Sequence, residues 1–122
     1  MLDLNFFLLY VDSPARSADF YGRLLGHPPV ESSPTFALFK LASGAMLGLW
    51  SRGTVEPTAT PVGGSELGFA VGDDATVRQL HARWSEDGMR IMQAPQQMDF
   101  GFTFTALDPD GHRLRVFSPS TP

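Results

Sequence analysis

"LYVDSPARSADFYGRLLG", residues 9–26, compresses the end of a strand, a helix cap, a helix and a stop into one passage. Upstream, "LNFFLLYV" (4–11) is apolar throughout and rich in aromatics, as expected of a strand covered on both faces. Ser13 is placed to cap the helix, and Pro14 to be its first residue, where a missing N–H costs nothing. Ser17, Tyr21, Leu24 and Leu25 recur at helical spacing, and Gly26 supplies a left-handed stop. His27-Pro28-Pro29 forbids continuation. Strands are expected next near 29–32, at "TFALFKL" (35–41) and at "AMLGLW" (45–50), with "ASG" (42–44) as a hairpin turn.

The same grammar then returns. "SRGTVEPTATPVGG" (51–64), dominated by Pro, Gly and Thr, reads as a linker. "ELGFAVGD" (66–73) is a second entering strand and "DATVRQLHARWSEDG" (74–88) a second helix. Asp73 or Asp74 caps that helix, Val77, Leu80 and Trp84 form its apolar stripe, and Gly88 stops it. "RIMQAP" (90–95), "FGFTFTAL" (100–107) and "HRLRVFS" (112–118) complete the set, the last two joined by the turn "DPDG" (108–111). Aligning Val11 with Val71 brings helices and hairpins into register, the mark of a duplicated unit. The expected organisation is α+β: a first βαβββ module over 1–52, a linker over 53–64 and a second βαβββ module over 65–122, in one compact domain. Each module exposes one sheet face without a helix, and opposing those faces would enclose a concave cavity.

Bulk properties narrow the partners. At 122 residues and 43% apolar the chain has enough material for a globular core. A net charge of −4, with only nine Lys and Arg, argues against nucleic acid and against a membrane surface. There is no cysteine, which removes disulfides, thiolate metal sites and a cysteine nucleophile. The N-terminal stretch carries Asp3 and lacks a basic region, so it reads as a strand and not as a signal peptide, and the expected compartment is the cytoplasm.

"LYVDSPARSADFYGRLLG" resembles the entry "V-x-D-x-x-x-S-x-x-F-Y-x-x-L-L-G" of the vicinal-oxygen-chelate superfamily, the glyoxalase, bleomycin-resistance and extradiol-dioxygenase group. "DPDGHRLRVFSP" is similar to its closing strand, "D-P-D-G-x-x-[IL]-E". Ser13 departs from the pattern, standing where an acidic residue is usual. The resemblance implies paired βαβββ modules, a helix on the convex side of each curved sheet, a pocket on the concave side, and a homodimer with sites at or near the module or subunit interface. Within the group, "AMLGLWSRG", "SELGFAV", "FGFTF" and "DPDGHRLRVF" look most like the phenazine antibiotic resistance proteins, which bind a flat tricyclic drug without chemistry.

In the superfamily's enzymes four strand positions carry His, Gln or Glu ligands for a metal ion. Carried over residue by residue, they fall here on Phe6, Gly48, Glu66 and Arg115. A divalent ion needs three or four N or O donors, and this set does not supply them. His27, His81 and His112 read as turn or surface residues, so neither a metal nor another cofactor is expected. Strand alternation places Leu4, Leu8 and Tyr10 with Phe6, Met46 and Trp50 with Gly48, Gly68 and Ala70 with Glu66, and Arg113 and Phe117 with Arg115. Gly48, Gly68 and Ala70 are expected to leave volume, and Phe6, Trp50 and Phe117 to offer flat faces. The expected ligand-binding set is Phe6, Leu8, Met46, Gly48, Trp50 with adjoining Ser51, Glu66, Phe102, Phe104, Arg115 and Phe117, with no catalytic residue. Phe7, Phe20, Phe36, Phe39 and Trp84 are read as core. Period alone leaves open whether Phe102 and Phe104 meet helix or pocket. Glu66 and Arg115 either pair with each other or receive a guest amine or hydroxyl and a guest carboxylate.

The expected function is metal-independent sequestration of a planar aromatic, phenazine-like antibiotic. The alternatives are an isomerase, epimerase or lyase of the same superfamily using Glu66, and a carrier for a biosynthetic intermediate.

Overall fold

A computed structural model describes residues 1–120, which fall into two compact units divided between Pro61 and Val62. Unit 1 contains β1 (Phe6–Val11), α1 (Pro14–Leu25), β2 (Glu31–Ser33), β3 (Phe36–Lys40) and β4 (Met46–Ser51). Unit 2 contains β5 (Glu66–Ala70), α2 (Asp74–Glu86), β6 (Arg90–Met98), β7 (Gly101–Leu107) and β8 (Arg113–Pro119). Each unit is the expected βαβββ module, and each sheet runs in the same order, β1-β4-β3-β2 and β5-β8-β7-β6. The strand before the helix pairs in parallel with the last strand of its unit, and the remaining pairs are antiparallel.

Local chemistry sets the helix ends. The Ser13 hydroxyl accepts from the Arg16 N–H, Pro14 opens α1, and Gly26 at φ 83° donates its N–H to the Gly22 carbonyl. Asp73 caps α2 by accepting from the backbone N–H and hydroxyl of Thr76, and Gly88, also at φ 83°, follows its end. In the 108–111 turn the buried Asp108 carboxylate accepts from the N–H groups of Asp110 and His112.

Each helix covers one side of its sheet. In unit 1, Pro14, Ser17 and Tyr21 are buried on α1, and Val11, Phe39 and Leu49 of the sheet are fully buried. In unit 2, Val77 and Trp84 of α2 are buried; the Trp84 ring meets Phe69 and Phe104 edge-on at 6.1 and 5.3 Å. His81 lies against Phe104 at 5.3 Å, and the Arg78 guanidinium sits 4.4 Å from the centre of the Phe102 ring. Gly101, at φ 150°, starts β7 where a Cβ would lie 2.0 Å from the Ser118 carbonyl oxygen, so only glycine fits. Among the described residues no helix is long and apolar enough to cross a membrane.

Candidate functional site

The side of each sheet turned away from its helix is the open face, and register shows that the two open faces correspond position by position. Leu8 pairs with Gly48 and Gly68 with Arg115; Leu38 lies across from Gly48 and Thr105 across from Arg115. Phe6 and Glu66 hold one equivalent position, Gly48 and Arg115 another, Trp50 and Phe117 a third.

In unit 1 this face is apolar. Phe6 and Leu8 are 47% and 45% exposed although large and hydrophobic. Met46, Trp50 and Phe36 are half-buried beside them, and the Phe36 ring stands edge-on to Trp50 at 6.3 Å. Gly48 lies at the centre, buried. A Cβ there would come within 2.6 Å of Leu8 Cδ2 and 2.8 Å of Phe36 Cζ, so these two side chains already fill the space the sequence assigns to a vacancy. The glycine permits close packing of its neighbours; it leaves no hollow. Phe36, read from sequence as core, belongs to this face. Its signal was available in hindsight: it is the cross-strand partner of Trp50.

In unit 2 the same face is polar. Arg115 Nε donates to Glu66 Oε1 at 2.5 Å and Nη2 to Oε2 at 3.3 Å. Its Nη1 donates to Gln93 Oε1 at 3.1 Å and Thr103 Oγ1 at 3.2 Å. The hydroxyl of Thr105 donates to Gln93 Oε1 and that of Thr103 to the Val116 carbonyl, while Gln93 Nε2 reaches Met98 Sδ. No buried side-chain N or O among the described residues lacks a partner. Phe117 is half-buried and meets the exposed Phe100 edge-on at 5.9 Å, and Arg115 lies 5.6 Å from the Phe100 ring centre. Gly68 is open: a Cβ there would touch only Phe117, at 3.6 Å.

Of the expected set, Phe6, Leu8, Met46, Gly48 and Trp50 share the open face of unit 1, and Glu66, Arg115 and Phe117 that of unit 2. Phe102 and Phe104 do not join them. They face α2, at 8% and 0% exposure, because β7 alternates in phase with Thr103 and Thr105 on the polar side. Ser51 is also withdrawn: it follows Trp50 and so points to the opposite face, while its carbonyl accepts from Thr54 and Val55. Gln93 is the participant the sequence did not reveal, since a lone glutamine on an edge strand carries no pattern.

The residues at the superfamily's ligand positions do not fit a metal ion. Phe6 and Gly48 have no donor atom, and both oxygens of Glu66 are engaged by Arg115, whose charge opposes a cation. Among the described residues no three His, Cys, Asp or Glu side chains gather as a cation would require.

Comparison with known proteins agrees with this architecture. Residues 3–116 match the profile of the Glyoxalase/Bleomycin resistance protein/Dioxygenase superfamily. The phenazine antibiotic resistance protein EhpR of Enterobacter agglomerans is 33% identical over 115 residues, covering 92% of this chain and 88% of EhpR. A protein of Agrobacterium tumefaciens solved by solution NMR superposes with a TM-score of 0.92 at 54% identity, over 99% of this chain and 100% of that one. A glyoxalase-related enzyme from Fulvimarina pelagi shares the fold, with a TM-score of 0.83 at 22% identity over 97% of this chain and 88% of its own.

Proposed function

The chain belongs to the glyoxalase/bleomycin resistance protein/dioxygenase superfamily, and from that premise we propose that it binds and sequesters a planar aromatic, phenazine-like antibiotic without a metal ion. The observation that carries this reading is the aromatic open face of unit 1, where Phe6, Leu8, Phe36 and Trp50 remain accessible around a buried glycine. Rings of this kind prefer edge and offset-stacked partners, each worth about 0.5–1.5 kcal/mol beyond the area buried. The likeness to EhpR, named for phenazine resistance, supports the guest class. Protection by sequestration needs protein in stoichiometric amount and a Kd below the toxic concentration. In this reading the protein works in the cytoplasm as a homodimer. Use of Glu66 as a general base is disfavoured, because both of its oxygens are held by Arg115.

Fluorescence tests the proposal directly. Trp84 of α2 is buried against its sheet and Trp50 is half-exposed, so a guest on the open face reports through Trp50. Titration with phenazines is expected to quench emission saturably, and Trp50→Phe to remove most of the quenching. Absence of quenching in the wild type, or quenching unchanged in Trp50→Phe, would refute it.

A further inference from the structure

Gly48, buried at the centre of the open face of unit 1, has no side chain of its own, and the ring of Phe36 is what covers it. We infer that Phe36 determines specificity: by roofing the Gly48 backbone it makes this face a floor without a pit, which accepts guests only if the side they present is flat. This deepens the binding reading above, rests on it and concerns unit 1 alone. Register shows how far the ring leans. Directly across from Phe36 on β4 is Trp50, and directly across from Gly48 on β3 is Leu38. Yet a Cβ built on Gly48 would lie 2.8 Å from Phe36 Cζ and 3.1 Å from its Cε1. The side chain therefore runs along the diagonal of the strand pair, a span of about 7–8 Å that aromatic side chains can bridge. Even a methyl group at position 48 would push it off the sheet.

Leu8 arrives from the opposite flank, on β1, with its Cδ2 2.6 Å from the same point. The two covers are not equivalent. Leu8 is 45% exposed, and its aliphatic tip can turn aside for a guest. Phe36 is half-buried, and Trp50 stands edge-on to it, with ring centres 6.3 Å apart and planes at 84°. Raising the Phe36 ring would forfeit that contact and uncover the glycine. A flat ring system laid on this floor touches it throughout. A group projecting from its underside holds it away, and a gap of about 0.5–1 Å already forfeits roughly a quarter to a half of each contact. Selection for flatness thus follows from where one phenyl ring lies.

Two uncharged tricycles of similar outline decide the matter by calorimetric titration: phenazine, which is flat, and 9,9-dimethyl-9,10-dihydroacridine, which carries one methyl group above its ring system and one below. The wild type is expected to bind phenazine about tenfold more tightly than the dimethyl compound. Phe36→Ala is expected to bind the dimethyl compound about fourfold more tightly than the wild type does, the worth of one methyl group buried over Gly48. Phe36→Val, whose branched side chain suits a strand, is expected to show the same gain in smaller measure. Damage to the fold cannot produce a gain of affinity. Equal binding of both compounds by the wild type, or no gain in either variant, overturns this inference and leaves the binding reading standing. Failure of the wild type to bind phenazine overturns the binding reading and the inference together.

Discussion

The two open faces are built on one strand frame and filled in opposite ways. In unit 1 the central position is Gly48, and the bulk comes from its neighbours, Leu8 and Phe36, which close over it. In unit 2 the central position is Arg115, and the strand beside it is pared down to Gly68 and Ala70. Size at one strand is exchanged for size at the next, so each sheet keeps a filled centre. The chemistry differs because one centre is held by contact between apolar side chains and the other by hydrogen bonds that satisfy a partly buried charge. A duplicated unit has thereby acquired one face lined by rings and apolar side chains and one lined by a hydrogen-bonded polar network.

The most severe way to break this comparison is to transplant one centre into the other. Gly48→Arg places a long cation against Leu8 and Phe36 with no carboxylate, amide or hydroxyl to receive it. By displacing those two side chains it is expected to cost about 2–3 kcal/mol, whereas Gly68→Ala, in open space, should stay within about 0.5 kcal/mol. Denaturant midpoints measure both; a tolerated Gly48→Arg would mean that unit 1 is as adaptable as unit 2. A milder change asks whether the polar centre holds its own sheet together. Arg115→Ala strands Glu66 and removes donors from Gln93 and Thr103, with an expected loss of about 2 kcal/mol. A neutral outcome would reduce the network to surface dressing.

The smallest expected effect separates the helices. Ser13 caps α1 with a hydroxyl, Asp73 caps α2 with a carboxylate, and only the second titrates. The hydrogen bond from the Thr76 hydroxyl, then that from its backbone N–H, holds the Asp73 pKa below the usual carboxylate value. Its folded-state pKa is lowered, so its contribution is complete above the unfolded value and is lost as pH falls through the folded one. Between about pH 5 and about pH 3 the wild type should lose slightly more stability than Asp73→Asn, which keeps a neutral cap. Identical slopes in thermal melts would remove this distinction.

Most of the architecture was legible in the sequence because its punctuation is local. Ser13, Pro14, Gly26, Asp73, Gly88 and the 108–111 turn each act over a few residues, and their chemistry does not depend on distant partners. Faces were harder. Alternation sorts Phe102, Phe104, Thr103 and Thr105 into two sets without saying which set meets the helix, and only packing against Trp84 and His81 decides it. Gly48 misled for a related reason. A glycine reads as space, but whether that space is empty depends on rotamers of Leu8 and Phe36, which come from two other strands. Gln93 reaches Arg115 across β7 from β6, whose pairing with β7 shifts register, so spacing along the chain could not locate it.

Gly101 carries a consequence for how this protein can change over time. With φ at 150° and the Ser118 oxygen 2.0 Å from where a Cβ would stand, any encoded replacement collides with the main chain of the neighbouring strand. Every missense change in its codon is therefore expected to be purged, because the constraint is one of folding. Lineages should diverge more freely on the open faces, at positions such as Phe6 or Glu66, while this codon accepts only silent substitutions.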